Sequence, residues 1–305
     1  MQPKKVNNKI EEQNSQLLQN NFIQFQLHFS FTLQSNFQTN MATTKTFTCI
    51  LYSVENNVVY ITLNRPEVFN AFNDEMSYEL QDALKMSASD TLVRCIVLSG
   101  AGKAFCSGQD LKAIKEVAGK RDLSESLHKR YNPIIRAMRN MPKPIICALN
   151  GVAAGAGCSI ALACDIIVAA ENSSLIEVFV NVGLVLDSGS SYFLPRIVGS
   201  TKAFELATMG SKVSANEALQ LGIVNKVVAL EQLHEAVKTY TDYYATAPTK
   251  AIGLMKKMLN KSFHSDLDKM LDYEAYCQQI AGNSADNAEG VMAFNEKRKP
   301  VFKGE

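Results

Sequence analysis

Hydrophobic and polar positions alternate regularly from residue 46 onward, in the order expected of an α/β protein. The segment TFTCILYSVENNVVYITLN has two β-branched runs on either side of ENN, which predicts a β-hairpin. The next segment, NDEMSYELQDALKMS, places apolar residues at Met76, Leu80, Ala83 and Leu84 behind a candidate N-cap at Asn73. This spacing predicts an amphipathic helix.

Further along the chain, buried strands are predicted at RCIVLSG, PIICALNG, DIIVAA and VNKVVAL, with helical patterns between them. The segment AGKAFCSGQDL is rich in small residues and is predicted to be a loop. From Glu231 to Lys299 the pattern is helical throughout, with breaks near Pro248 and Gly282. Strands separated by helices favour parallel pairing, so the predicted fold class is an α/β core followed by a helical C-terminal arm.

The first forty residues differ from the rest, because fifteen of them are Asn or Gln and none is Gly or Arg. This composition is typical of a disordered polar tract, and it lacks the apolar stretch of a secretory signal. We therefore divide the chain into a disordered extension (1–40), a core (41–230) and a helical oligomerisation arm (231–305).

Charge and composition exclude several classes of function. The net charge of +1 does not suit a nucleic-acid-binding protein. The longest apolar run, VAAGAGCSIALACDIIVAA, is interrupted by Ser159 and Asp165, so a buried helix and strand are expected rather than a membrane span. Seven cysteines without a C-x-x-C pair indicate reduced thiols in a cytoplasmic protein, and four scattered histidines do not suggest a metal site.

Two glycine-containing segments, CSGQDL and NGVAAGAGCS, each follow a predicted buried strand and lead towards a helix. Glycine allows a backbone N–H to approach a ligand closely, and a helix N-terminus presents unpaired N–H groups. Two such sites that converge would form an oxyanion hole. The order G-x-x-x-G-x-G differs from a dinucleotide fingerprint, whereas close packing between helix and strand remains an alternative for each segment.

The segment VGLVLDSGSSYFLPR contains one carboxylate, Asp187, between an apolar run and a Gly/Ser turn. Asp is a favoured N-cap, so this residue could simply begin a short helix. Alternatively, the preceding run Leu184–Leu186 predicts that the carboxylate faces a dry pocket, where its pKa would rise and it could act as a base.

Four segments together resemble the crotonase (enoyl-CoA hydratase/isomerase) superfamily: ITLNRPEVFNAFNDEM, VLSGAGKAFCSGQDL, PKPIICALNGVAAGAGCSIALACDIIVAAENSSL and VGLVLDSGSSYFLPRIVG. The resemblance extends over about residues 46–305. It implies a crotonase-like β-β-α spiral core with a C-terminal helical trimerisation arm, assembled as a homotrimer or dimer of trimers. It also implies an acyl-CoA substrate, with coenzyme A as part of the substrate and no separate cofactor.

Carried over position by position, the resemblance implies that the backbone N–H groups of Gln109 and Ala156 bind the thioester oxygen. Ser107, Asp110 and Leu111 fall in the region that contacts coenzyme A, and Asp110 is expected mainly to brace its loop.

The two glutamates of the hydratases are absent, because their positions correspond to Ser159 and Phe179. Glu177 lies two residues before the second position, and we expect it to replace the missing group only if strand pairing slips. Water addition needs one group to activate water and another to deliver a proton, so the loss of both argues against an ordinary hydratase.

In some branches of the family the single carboxylate lies at the position of Asp187. The predicted function is therefore acyl-CoA isomerisation with one carboxylate as proton shuttle. The reactions that the resemblance implies are epoxyphenylacetyl-CoA to oxepin-CoA, as in phenylacetate breakdown, or 3-enoyl-CoA to 2-enoyl-CoA, or both.

Three alternatives remain: a hydratase, a 4-chlorobenzoyl-CoA-type dehalogenase, and a non-catalytic acyl-CoA-binding relative. The dehalogenases use a His where this chain has Asn132 and also a Trp, which this chain lacks.

Overall fold

The computed structural model describes residues 46–112 and 122–305. The strands in these residues form two separate β-sheets. The strands are β1 (Ile50–Glu55), β2 (Val58–Leu63), β3 (Cys95–Gly100), β4 (Ala104–Cys106), β5 (Ile145–Leu149), β6 (Val152–Ala154), β7 (Ile166–Ala170), β8 (Ser174–Ile176), β9 (Lys212–Ser214) and β10 (Lys226–Val228). One sheet has the order β1-β2-β3-β5-β7-β10 and the other β4-β6-β8-β9. From β3 to β8 the chain thus alternates between the two sheets, which is the predicted spiral.

The six-stranded sheet confirms the predicted hairpin and the predicted parallel core. Strands β1 and β2 pair antiparallel, whereas β2, β3, β5, β7 and β10 pair in parallel with their neighbours. The hairpin turn contains Asn56 and Asn57, both with positive φ (48° and 65°). Two left-handed residues form the turn whose twist matches a β-hairpin, and Asn tolerates that conformation well.

The four-stranded sheet corrects the sequence interpretation. The predicted loop AGKAFCSGQDL contains β4, and β6 lies between the predicted strand PIICALNG and the helix that follows it. Each strand of this sheet has three residues. A strand this short shows no periodicity, so local patterning could not reveal it.

Five of the eleven helices in the described residues begin at a residue whose side chain caps the helix. The helices are α1 (Asp74–Ser89), α2 (Leu123–Ser126), α3 (Asn132–Asn140), α4 (Ala156–Leu162), α5 (Ser190–Val198), α6 (Ser200–Met209), α7 (Ala215–Gln220), α8 (Leu233–Thr246), α9 (Thr249–Ser262), α10 (Leu267–Gly282) and α11 (Ala285–Asn295). A π-helical turn, Leu127–Tyr131, joins α2 to α3. The side chain of Asn73 accepts a hydrogen bond from the Met76 N–H, which confirms the predicted cap of α1.

The C-terminal region differs from the prediction in two respects. An additional break separates α9 from α10, between Ser262 and Leu267. In α8, Leu233, Ala236 and Val237 are buried in a cluster with side chains of the six-stranded sheet. Their i, i+3, i+4 spacing gives α8 one apolar face, so the first helix of the predicted arm packs as part of the core.

Other sequence predictions concern composition. All seven cysteines are buried as free thiols. Among the described residues, no helix has both the length and the apolar character needed to cross a membrane. The prediction for residues 1–40 lies outside the described residues.

Candidate active site

Two backbone hydrogen bonds with Phe72 hold the loop after β4 and leave the backbone N–H of Gln109 available. The Phe72 N–H donates to the Gly108 carbonyl (2.7 Å), and the Asp110 N–H donates to the Phe72 carbonyl (2.9 Å). This parallel bridge uses the groups on either side of Gln109. Within residues 46–112 and 122–305, the Gln109 N–H donates no hydrogen bond.

The second available N–H lies at the start of α4. Gly155 precedes the helix with φ of +52°, and Ala156 is the first helical residue. A residue at this position has no acceptor within its own helix. The Ala156 N–H therefore has no acceptor within α4.

Glycines bring these two segments into contact. A Cβ on Gly108 would lie 2.9 Å from the Ala154 carbonyl oxygen and 3.6 Å from the Ala156 nitrogen. A Cβ on Gly157 would lie 2.3 Å from the Cys106 carbonyl oxygen, closer than atoms can approach. The absence of side chains at these glycines therefore lets the loop that carries Gln109 lie against the start of α4. This arrangement suits a single acceptor oxygen that gains negative charge.

The side chain of Gln109 is fixed by Tyr131, a residue that the sequence analysis did not identify. The Tyr131 hydroxyl donates to Gln109 Oε1 (2.6 Å), and Gln109 Nε2 donates to the Phe72 carbonyl (2.8 Å). The Tyr131 ring also packs edge-on against the Phe72 ring at 5.7 Å. Tyr131 lies in the π-helical turn, and no local signal in the sequence relates it to the loop.

The residues predicted to contact coenzyme A have different environments. The Asp110 carboxylate is buried, lies 3.0 Å from Arg65 Nη2 and accepts from the Lys112 N–H (3.1 Å). These contacts support the expected bracing role. Leu111 is 55% exposed, so it is available to a ligand. The roles of Ser107, Asp110 and Leu111 in binding coenzyme A remain predictions.

The carboxylate of Asp187 does not cap a helix, so that interpretation is wrong. Helix α5 begins at Ser190, and its N-cap is Gly189 without any side-chain hydrogen bond. The Ser190 N–H donates a hydrogen bond to the backbone carbonyl of Asp187 (3.0 Å). The carboxylate itself accepts a hydrogen bond from the Ser188 hydroxyl (2.8 Å).

Burial raises the pKa of Asp187, and the hydrogen bond from Ser188 opposes this shift. The origin of the burial differs from the prediction. In the single chain Leu184 and Val185 are 43% and 84% exposed, so the apolar run does not cover the carboxylate.

The segment that follows Asp187 has an unusual backbone. Ser188 has φ of +50° and Gly189 has φ of +90°. A left-handed conformation is unfavourable for Ser, and such positions cluster at functional sites. The bend turns the chain into α5 and holds the carbonyl of Asp187 3.1 Å from Ser159 Oγ on the first turn of α4. Asp187 is thereby attached to the helix that carries the Ala156 N–H.

The structure also brings Glu177 to this region, contrary to expectation. Strand β8 ends at Ile176, and Glu177 begins a 3₁₀ turn over Val178–Val182, so strand pairing does not control its direction. Its side chain is 3% exposed and accepts a hydrogen bond from the Ser190 hydroxyl (2.8 Å). Burial raises the pKa of Glu177 to about 7; the hydrogen bonds from Ser190 and Cys158 oppose this shift, and the charge of Asp187 adds to it.

Comparison with known proteins identifies the family. The sequence model of the enoyl-CoA hydratase/isomerase family matches residues 53–305. The chain belongs to this family. The family match therefore confirms the resemblance, the spiral fold and the assignment of the protein as an enzyme.

The relatives of this chain within the enoyl-CoA hydratase/isomerase family include proteins named as isomerases and proteins named as hydratases. The chain is 43% identical to 1,2-epoxyphenylacetyl-CoA isomerase of Escherichia coli K12, covering 84% of this chain and 98% of the relative. It is 31% identical to crotonyl-CoA hydratase of Syntrophomonas wolfei, with coverages of 83% and 97%. The crystal structure of an enoyl-CoA hydratase from Bacillus anthracis superposes with a TM-score of 0.81 at 32% identity, covering 85% of this chain and all of the other.

Proposed function

We propose that this protein is an acyl-CoA isomerase in which Asp187 moves a proton beside an oxyanion hole. The observation that carries the proposal is the Asp187 carboxylate, which caps no helix and is attached through Ser159 to the helix that begins with Ala156. A carboxylate that has no capping role, is partly buried and is held by a strained backbone is suited to proton transfer.

For a 3-enoyl thioester, one carboxylate can both remove the proton and return it. The thioester oxygen accepts hydrogen bonds from the N–H groups of Gln109 and Ala156. The Asp187 carboxylate takes a proton from C2, and the electron pair moves onto the thioester oxygen as an enolate. The resulting carboxylic acid returns the proton to C4, which gives the 2-enoyl thioester and restores the carboxylate. No cofactor is required besides the coenzyme A of the substrate.

The identity to 1,2-epoxyphenylacetyl-CoA isomerase favours an epoxyphenylacetyl thioester as substrate. Hydratase-named relatives make water addition the second candidate. A dehalogenase is not favoured, because Asn132 occupies the position of its His and the chain has no Trp.

Parallel turnover measurements distinguish these candidates. We expect the protein to convert epoxyphenylacetyl-CoA and a 3-enoyl-CoA, with hydration of crotonyl-CoA at least about tenfold slower, because one positioned proton-transfer group contributes about 10²–10⁴-fold. Absorbance of the conjugated thioester follows all three reactions. Hydration as the fastest reaction would contradict the proposal, and binding of acyl-CoA without any turnover would favour the non-catalytic alternative.

We further propose a homotrimer or a dimer of trimers. In the single chain, Met255, Leu259 and Leu271 are 58%, 69% and 52% exposed on α9 and α10. Apolar side chains grouped in this way indicate a surface that another subunit covers. Sedimentation velocity at micromolar concentration should therefore show three or six copies, and a monomer would refute the assembly.

A further inference from the structure

We propose that Glu177, in its neutral form, is a positioning residue that holds Asp187 through the hydroxyl groups of Ser190 and Ser159. This inference rests on the proposed role of Asp187 as the base. It assigns a function to a carboxyl group that the proton-transfer step does not use.

The observation is a chain of buried polar groups that joins three segments. Glu177 Oε1 lies 2.8 Å from Ser190 Oγ, and Ser190 Oγ lies 2.8 Å from Ser159 Oγ. Ser159 Oγ lies 3.1 Å from the carbonyl oxygen of Asp187 and 3.2 Å from that of Gly155. Ser159 and Ser190 are fully buried, and Glu177 is 3% exposed. Groups buried to this extent are costly unless their hydrogen bonds are satisfied.

The protonation state of Glu177 determines the direction of the hydrogen bonds among these buried groups. Each serine hydroxyl can donate one hydrogen bond. If Glu177 is neutral with its proton on Oε1, the O–H donates to Ser190, which reverses the direction that the ionised carboxylate requires; Ser190 then donates to Ser159, and Ser159 donates to the carbonyl of Asp187 or Gly155. If Glu177 is ionised, Ser190 must donate to the carboxylate, and Ser159 is drawn to donate to Ser190. The Asp187 carbonyl then loses a donor.

The surroundings of Glu177 favour the neutral form. Oε2 of Glu177 is buried and has no hydrogen-bond partner in the described part of the chain. The titratable groups that face it there are the Cys158 thiol on α4 and Asp187, both acids. The cavity beside it is lined mainly by apolar side chains from β8, α5, α6 and β9, among them Leu175, Leu194, Leu206 and Val213. The charge of Asp187 thus adds to the effect of burial in favouring the neutral form of Glu177.

Turnover should therefore decrease as the pH rises and Glu177 loses its proton. Because burial raises the pKa of Glu177 to about 7, this group loses its proton as the pH rises through neutrality. Its negative charge would then oppose the enolate that forms nearby, and the Asp187 carbonyl would lose the hydrogen bond from Ser159 and keep only that from the Ser190 N–H. We therefore expect turnover to fall on the alkaline side.

The test compares pH profiles of turnover for the parent and for Glu177→Gln. An acid whose pKa is about 7 is about 90% neutral at pH 6 and about 1% neutral at pH 9, so the parent should lose about tenfold or more between these values. In Glu177→Gln the same ratio should stay within about twofold, because the amide cannot ionise. Glu171→Gln, at an exposed position in the turn after β7, is the matched control and should keep the parental ratio. Glu177→Ala should lose turnover at every pH, since it removes the donor to Ser190.

A titration without substrate separates this inference from the proposed function. In protein labelled with ¹³C at glutamate carboxyls, one carbon resonance should titrate near pH 7, disappear in Glu177→Gln and move to lower pH in Asp187→Asn. Absence of that titration, or a parental pH ratio in Glu177→Gln, overturns the positioning role. Parental turnover in Asp187→Asn instead overturns the proposed function, and the resonance reports on Glu177 in either case.

Discussion

Replacing Asp187 with Asn should lower turnover by about 10²–10⁴-fold, equivalent to roughly 3–5 kcal/mol of transition-state stabilisation. The amide oxygen can still accept the hydrogen bond that the Ser188 hydroxyl donates in the parent (2.8 Å). It cannot take a proton from carbon, so the loss should appear in kcat while the affinity for acyl-CoA changes little. The measurement is steady-state turnover of a 3-enoyl-CoA, with binding followed separately by calorimetry.

The stability of this variant tests the competing interpretation of Asp187. Because the carboxylate caps no helix, thermal stability of Asp187→Asn should stay close to that of the parent. Asp187→Ala should behave in the same way, whereas loss of a helix cap would cost about 1 kcal/mol. Near-parental turnover in Asp187→Asn would show that Asp187 is not the proton shuttle.

The loss of parental activity at low pH should also arise from Asp187. Burial raises the pKa of Asp187, so the folded protein retains this proton to a higher pH than an exposed Asp would. A protonated Asp187 cannot act as base, and activity should therefore fall as the pH decreases through this raised pKa. Asp187→Asn should remove this limb from its residual activity.

Replacing Gly157 with Ala should damage both stability and turnover. The added Cβ would lie 2.3 Å from the Cys106 carbonyl oxygen and 2.7 Å from the Cys106 Cβ. Because Cys106 belongs to β4, the obstacle includes backbone that cannot rotate away, and the first turn of α4 must move. Overpacking of this kind costs about 1–3 kcal/mol of unfolding free energy.

The same movement should separate the two proposed oxyanion donors, the N–H groups of Gln109 and Ala156. Ala156 immediately precedes Gly157, and Gln109 lies three residues after Cys106. A displacement of about 1 Å in a catalytic arrangement can cost about 10²-fold in rate, and loss of one oxyanion donor costs about 10²–10³-fold. We expect a decrease in kcat of this size at temperatures where the variant is still folded.

The matched control is Gly282→Ala at the end of α10. A Cβ at Gly282 meets nothing within 4 Å. Ala is favoured over Gly in helices, so this variant should be as stable as the parent or slightly more stable, with unchanged turnover. Equal effects of the two substitutions would contradict a steric role for Gly157.

The local pattern of the sequence determined those features that depend on neighbouring residues. The hairpin follows from two β-branched runs around a turn that contains Asn56 and Asn57. The start of α1 follows from Asn73, and the parallel pairing of the longer strands follows from their alternation with helices. The glycine segments and Asp187 were identified as candidates for the same reason, since each stands out within a few residues of its neighbours.

The tertiary structure decided what depends on residues far apart in the chain. The four-stranded sheet consists of strands of three residues, which pairing with distant strands stabilises and periodicity does not reveal. The hydrogen bond from Tyr131 to Gln109 spans 22 residues, and that from Ser159 to the Asp187 carbonyl spans 28. The burial of Glu177 depends on where β8 ends and on the side chains of α4 and α5 that surround it. Solvent exclusion and hydrogen bonds between distant segments are properties of the assembled chain, and they set the pKa of a carboxyl group that the sequence alone leaves ordinary.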